Sequence, residues 1–136
     1  MGEKIKTLMI YDKSEPSEEL RKVLLRLGME IRHVRSCGEA SRLFKGTNSA
    51  ELVFTDTALP DGTWEDILRM AQQADYFLPV IVVSRMADID LYLKTLESGA
   101  FDFVIPPFLS IDMANVTGAA MYQKLATRDF RSAHVA

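Results

Sequence analysis

The chain has 136 residues, a formal net charge of −3 and an ordinary balance of 48% apolar to 26% charged residues, which suits one globular domain with a sizeable core. The slight acidity gives no reason to expect nucleic-acid binding, and the single cysteine, Cys37, excludes an internal disulfide and a cysteine-rich metal site and fits a reducing compartment. No apolar run approaches the ~20 residues that span a bilayer, and MGEKIK leads directly into a strand-like segment without a signal peptide, so a cytoplasmic protein is expected.

No repeat, low-complexity tract or linker interrupts an alternation of short β-like and longer helix-like segments. Residues 5–11 (IKTLMIY) read as a buried strand. Ser14 or Glu15 can cap the helix that follows, with Pro16 in its first turn. Leu20, Val23, Leu24 and Leu27 form its apolar stripe, and Gly28 ends it. Residues 29–34 read as a second strand, 39–44 as a short helix, and 52–55 as a third strand that stops at Asp56. TALPDG reads as a loop, with Pro60, Asp61 and Gly62 as turn residues. A helix follows over 64–74, with Ile67, Met70 and Ala71 on one side and Trp64 covering its first turn. Pro79 starts the fourth strand, VIVV, which ends at Ser84, and the helix over 88–97 is closed by Gly99. The fifth strand, Phe103-Val104-Ile105, stops at two prolines, which lack a backbone N–H and fix φ. The last helix spans 110–124, capped by Ser110 or Asp112.

Five β-α units with nearly continuous apolar strands predict a doubly wound α/β fold, (βα)5, with a five-stranded parallel sheet covered by helices on both faces. In such sheets function lies beyond the carboxyl ends of the strands. The residues there are Tyr11, Asp12 and Lys13 after the first strand and Asp56 after the third. Ser84 and Arg85 follow the fourth strand, and Pro106 and Pro107 the fifth.

The pieces MIYDK, VFTDTALPDG, PVIVVSR and SGAFDFVIPPF, at their mutual spacing, resemble the receiver domain of bacterial two-component response regulators. The resemblance covers about residues 4–126 and leaves 127–136 as a tail or the start of a linker. It implies the flavodoxin-like strand order 2-1-3-4-5. It makes Asp56 the acceptor of a phosphoryl group from the phosphohistidine of a sensor histidine kinase or phosphotransfer protein, in a signalling domain rather than an enzyme. Mg²⁺ would be held by Asp12, Asp56 and the backbone carbonyl of Ala58. Ser84 would hydrogen-bond the phosphoryl group and move with it, with Phe103 as its partner in the switch. These residue types suit the chemistry. A carboxylate is a workable nucleophile toward phosphorus, and phosphoryl transfer needs little beyond alignment and charge neutralisation. Mg²⁺ takes one or two carboxylates plus phosphoryl oxygens and water. The face formed by the fourth helix, fifth strand and fifth helix, with Ile89, Tyr92 and Tyr122, would meet a downstream protein or output domain. Neither nucleic acid nor membrane is an expected partner of this domain.

The chain departs from the family at two places. Tyr11 replaces the first of two adjacent acids, and a phenol with a pKa of about 10 is neutral at pH 7, so weaker Mg²⁺ binding is expected. Pro106 replaces a lysine that contacts the acceptor carboxylate. Pro107 matches the family proline, and a cis Pro106–Pro107 bond is chemically reasonable. Arg85 and Lys13 are either compensating cations or solvated loop charges. Likewise Asp12 and Ser84 can each serve as a helix cap, and Phe103 as a core aromatic. Tyr11 and Pro106 support an alternative, a degenerate receiver that binds partners without phosphorylation. A haloacid-dehalogenase-like phosphatase would need an Asp where Ala58 stands. A flavodoxin-type cofactor site would need a phosphate-cradling loop in place of the acidic DKSEPSE. ATRDFRSAHVA at the end is too short for a DNA-binding module, so the sequence reads as a lone receiver or as part of a longer regulator.

Overall fold

The computed structural model describes residues 4–46 and 50–135. Strand β1 (Lys6–Ile10) leads into helix α1 (Glu15–Arg26), which begins where the sequence places its cap: Ser14 Oγ accepts from Ser17 N–H at 3.3 Å. Gly28, at φ 87°, turns the chain toward β2 (Glu30–Val34). Helix α2 (Cys37–Lys45) starts two residues before the expected Glu39, for two reasons. Ser36 caps it, accepting from Glu39 N–H at 3.1 Å, and the distant Asp61 carboxylate accepts from Cys37 and Gly38 N–H at 2.7 and 2.9 Å.

Strand β3 (Leu52–Asp56) is followed by a two-stranded antiparallel ladder, β4 (Ala58–Leu59) and β5 (Gly62–Thr63), within the stretch expected to be a plain loop. Helix α3 (Trp64–Gln72) opens with a capping box: Asp66 accepts from Thr63 N–H at 2.9 Å. Trp64 does more than cover that first turn, because it is buried in the core. Strand β6 (Val80–Val83), helix α4 (Ile89–Glu97, capped by Asp88) and strand β7 (Asp102–Val104) follow. The Pro106–Pro107 bond is cis. Helix α5 (Ser110–Val135) runs well past the expected end at Lys124 and through residues 127–135 of the expected tail. Ala136 lies outside the described residues.

The main sheet is parallel, in the order β2-β1-β3-β6-β7, which is the expected doubly wound topology. Strand periodicity divides the core between its two faces. Leu8, Ile10, Val53, Val80 and Val82 pack with residues of α2 and α3. Met9, Phe54, Ile81, Val83 and Val104 pack with Leu20, Val23 and Leu24 of α1 and Met113 and Ala120 of α5. Among the described residues no helix is long and apolar enough to cross a membrane.

Candidate functional site

Parallel register brings the candidate residues to one edge. Ile10 is paired with Thr55, Asp56 with Val83, and Val83 with Val104. The chain therefore leaves β1 at Tyr11-Asp12 and β6 at Ser84, on the two strands that flank Asp56, and β7 at Ile105-Pro106 one strand further along the same edge. Ser84 N–H donates to the Val104 carbonyl at 3.0 Å, which holds the last two exits together.

Asp56 is half-buried. Burial pushes its carboxyl above the usual carboxylate range, while the Ser14 hydroxyl, the Thr57 backbone N–H and the Arg85 charge each act in the opposite direction. Arg85 is thus an exposed cation whose field reaches the Asp56 carboxylate. Lys13 is exposed. Pro106 is half-buried and brings no charge.

Ser84 is buried, and its hydroxyl donates to the Met86 carbonyl at 3.2 Å. Phe103 is half-buried, and its ring meets that of Tyr92 edge to face at 5.7 Å. Ile89 and Tyr122 are strongly exposed, 71% and 75%, as are Met86 and Ile111 near them in sequence, at 68% each. Exposed apolar side chains on α5 and on or just before α4 therefore outnumber the three residues named from the sequence.

Tyr11 is buried with the α1 and α5 core. Its ring stacks on His33, centroids 3.9 Å apart and planes at 15°, and its hydroxyl donates to Glu18 Oε2. His33 Nε2 donates in turn to the Tyr11 carbonyl oxygen at 2.8 Å. Burial, and then the Glu18 carboxylate, push the phenol well above its ordinary value. This side chain is a packed anchor with its proton committed to Glu18.

Asp12 is half-exposed, and its Oδ1 lies 3.8 Å from Arg35 Nη1. Among the described residues no group of three or more His, Cys, Asp or Glu could hold a metal ion. Asp12 and Asp56 leave neighbouring strands at the same edge, and two carboxylates are as many as Mg²⁺ commonly takes from a protein, so the residue types fit that ion.

The reading of strand ends missed Ser14, Glu18, His33 and Arg35. Arg35 was the easiest to find, since it is the first residue after the second strand and the same rule points to it. Ser14 was legible as a cap but not as a neighbour of Asp56. The partnership of Tyr11 with Glu18 and His33 joins three separate elements and leaves no mark in local sequence.

Residues 7–113 match the response regulator receiver domain. The chain is 31% identical over 102 residues to the response regulator protein PilR of Pseudomonas aeruginosa, a match covering 75% of this chain and 23% of PilR. It is 32% identical over 104 residues to SilR of Salmonella typhimurium, a probable transcriptional regulatory protein, covering 76% of this chain and 45% of SilR. It therefore spans less than half the length of these curated relatives. A response regulator receiver domain protein from Clostridium thermocellum superposes with a TM-score of 0.76 at 27% identity, over 89% of this chain and 97% of that one. The signal receiver domain of a putative LuxO repressor from Vibrio parahaemolyticus shares the fold, with a TM-score of 0.77 at 20% identity over 90% and 94% of the two chains. The chain belongs to the response regulator receiver domain family, the signalling input module of two-component systems.

Proposed function

We propose that this receiver takes a phosphoryl group on Asp56 from the phosphohistidine of a sensor histidine kinase or phosphotransfer protein. It then signals to a downstream protein or output domain through α4, β7 and α5. The observation that carries this reading is the place of Asp56, at the carboxyl end of the central strand, where the Ser14 hydroxyl and the Arg85 charge partly offset the burial that disfavours its ionised form. An Asp56 carboxylate oxygen forms the new P–O bond while the P–N bond to the imidazole breaks, and the departing nitrogen takes a proton from water. Asp12, Asp56 and the Ala58 carbonyl would hold Mg²⁺, which supplies positive charge for the phosphoryl oxygens. Arg85 adds charge where Pro106 has none, and Lys13 stands at the same edge.

To reach a phosphoryl oxygen, the Ser84 hydroxyl gives up its bond to Met86 and so releases the segment before α4. Phe103, packed against Tyr92, is placed to follow, so the group biases two conformations of one surface. Residues 4–126 form the receiver in this reading, and 127–136 a tail or the start of a linker.

Acetyl phosphate is expected to add one phosphoryl group to the wild-type chain and none to Asp56→Asn, read by intact-mass spectrometry. A specific observation favours a second reading: the position of the missing acid is a phenol bonded to Glu18, and the position of the lysine is Pro106. If the wild type is not modified, and beryllofluoride leaves the amide spectra around Asp56 unchanged, the domain is an interaction module that works without phosphorylation.

A further inference from the structure

The second strand ends in a cation whose position is set from several sides. Val34, the last residue of β2, is paired with Ile10 of β1, so Arg35 leaves the sheet beside the Tyr11-Asp12 exit. Its N–H donates to Glu39 Oε2 at 3.2 Å, and its neighbour Ser36 caps α2. From this fixed point the guanidinium comes within 3.8 Å of Asp12 Oδ1, and its charge also reaches the phenol of Tyr11. The carboxylate it holds is the one that a divalent cation would share with Asp56. Tyr11 supplies no carboxylate to make up the difference.

We propose that Arg35 is an internal counter-ion of Asp12 that competes with a divalent cation and sets the affinity of the site for it. This rests on the reading that Asp12 and Asp56 together hold the ion. A guanidinium and a divalent cation cannot share one carboxylate without like-charge repulsion, so the ion either displaces the arginine or binds against its field. The pair is partly in water, with the Arg35 side chain 61% and Asp12 38% exposed, which makes it a surface ion pair of modest strength. A displaced Arg35 also has the Glu39 carboxylate at hand. The competition is therefore graded: it weakens binding by about threefold to tenfold and blocks nothing.

Mn²⁺ titrations followed by electron paramagnetic resonance test this, with Mn²⁺ as the probe ion. Arg35→Gln is expected to bind Mn²⁺ about threefold to tenfold more tightly than the wild type, with the gain shrinking as salt is raised. Arg35→Lys keeps the charge and is expected to stay close to wild-type affinity, an outcome that a merely structural role for the guanidinium would not produce. Asp56→Asn is expected to lose most of the binding in either background. Equal affinity of wild type and Arg35→Gln, with binding still lost in Asp56→Asn, overturns the competition and leaves the metal site standing. Binding that Asp56→Asn does not diminish, or that neither wild type nor Arg35→Gln shows, overturns the metal reading and the competition together.

Discussion

Tyr11→Phe separates the two roles open to a phenol at this edge, structural anchor or participant in the site. The substitution keeps the ring on His33, where the centroids are 3.9 Å apart, and deletes only the hydroxyl that donates to Glu18. A hydrogen bond to a charged acceptor contributes about 1.5–3 kcal/mol. Here the acceptor side chain is 48% exposed and its other oxygen stays 3.9 Å from Arg21, so water replaces the lost donor on one side only. The substitution removes the donor itself and so orphans none, and we expect a loss of about 1 kcal/mol. That corresponds to a fall of roughly 4 °C in the unfolding midpoint of a domain of this size. The phenol is raised above its ordinary value of 10.0 in the folded chain. Its stabilising contribution is therefore complete below the unfolded pKa and is lost as pH rises toward the folded one. The difference between Tyr11→Phe and wild type should hold at neutral pH and narrow above about pH 10. Urea and thermal unfolding read both effects. Mn²⁺ affinity and the rate of acetyl phosphate modification should not change. A Tyr11→Phe chain as stable as wild type, or one with altered Mn²⁺ affinity, refutes the assignment of Tyr11 as an anchor.

Asp56→Asn should raise stability at neutral pH, because burial raises the folded pKa of Asp56 and ionisation is then penalised in the folded state. The Asp56 contribution is present below the unfolded carboxyl pKa and lost as pH rises through the folded value, so the advantage of Asn should shrink as the solution is taken down toward about pH 4. Urea midpoints across that range check it, and an advantage that grows on acidification has the wrong sign. Pro106→Lys restores a cation near Asp56 and should tighten beryllofluoride binding by about tenfold, well inside the ceiling of about 4 kcal/mol for a close charge pair at an effective dielectric near 20. Unchanged affinity by titration would mean that Arg85 already supplies the charge or that none is used.

The elements of this protein were legible because their signals are local. Ser14, Gly28, Asp88 and Gly99 stand where caps and turns require them, and the apolar runs and the stripe of α1 show their periods directly. The early start of α2 was not legible, because the group that satisfies Cys37 and Gly38 N–H belongs to Asp61, far along the chain. The β4–β5 ladder is only two residues long on each side, too short for any period to show.

The sequence by itself determined the doubly wound sheet, its strand ends and the row of residues that leaves them, because β-α alternation and parallel crossovers admit few arrangements. It also exposed the two departures, Tyr11 and Pro106, as missing charges. Only the tertiary structure decided what stands in their place. Tyr11 is anchored by α1 and β2 through Glu18 and His33, Asp12 is paired with Arg35, and Ser84 is held by the Met86 carbonyl. Hydrogen bonds and ion pairs act over a few ångströms between side chains. A period or a cap signal can place a residue on an edge, but the partner it meets there comes from whichever neighbouring element the packing brings within reach.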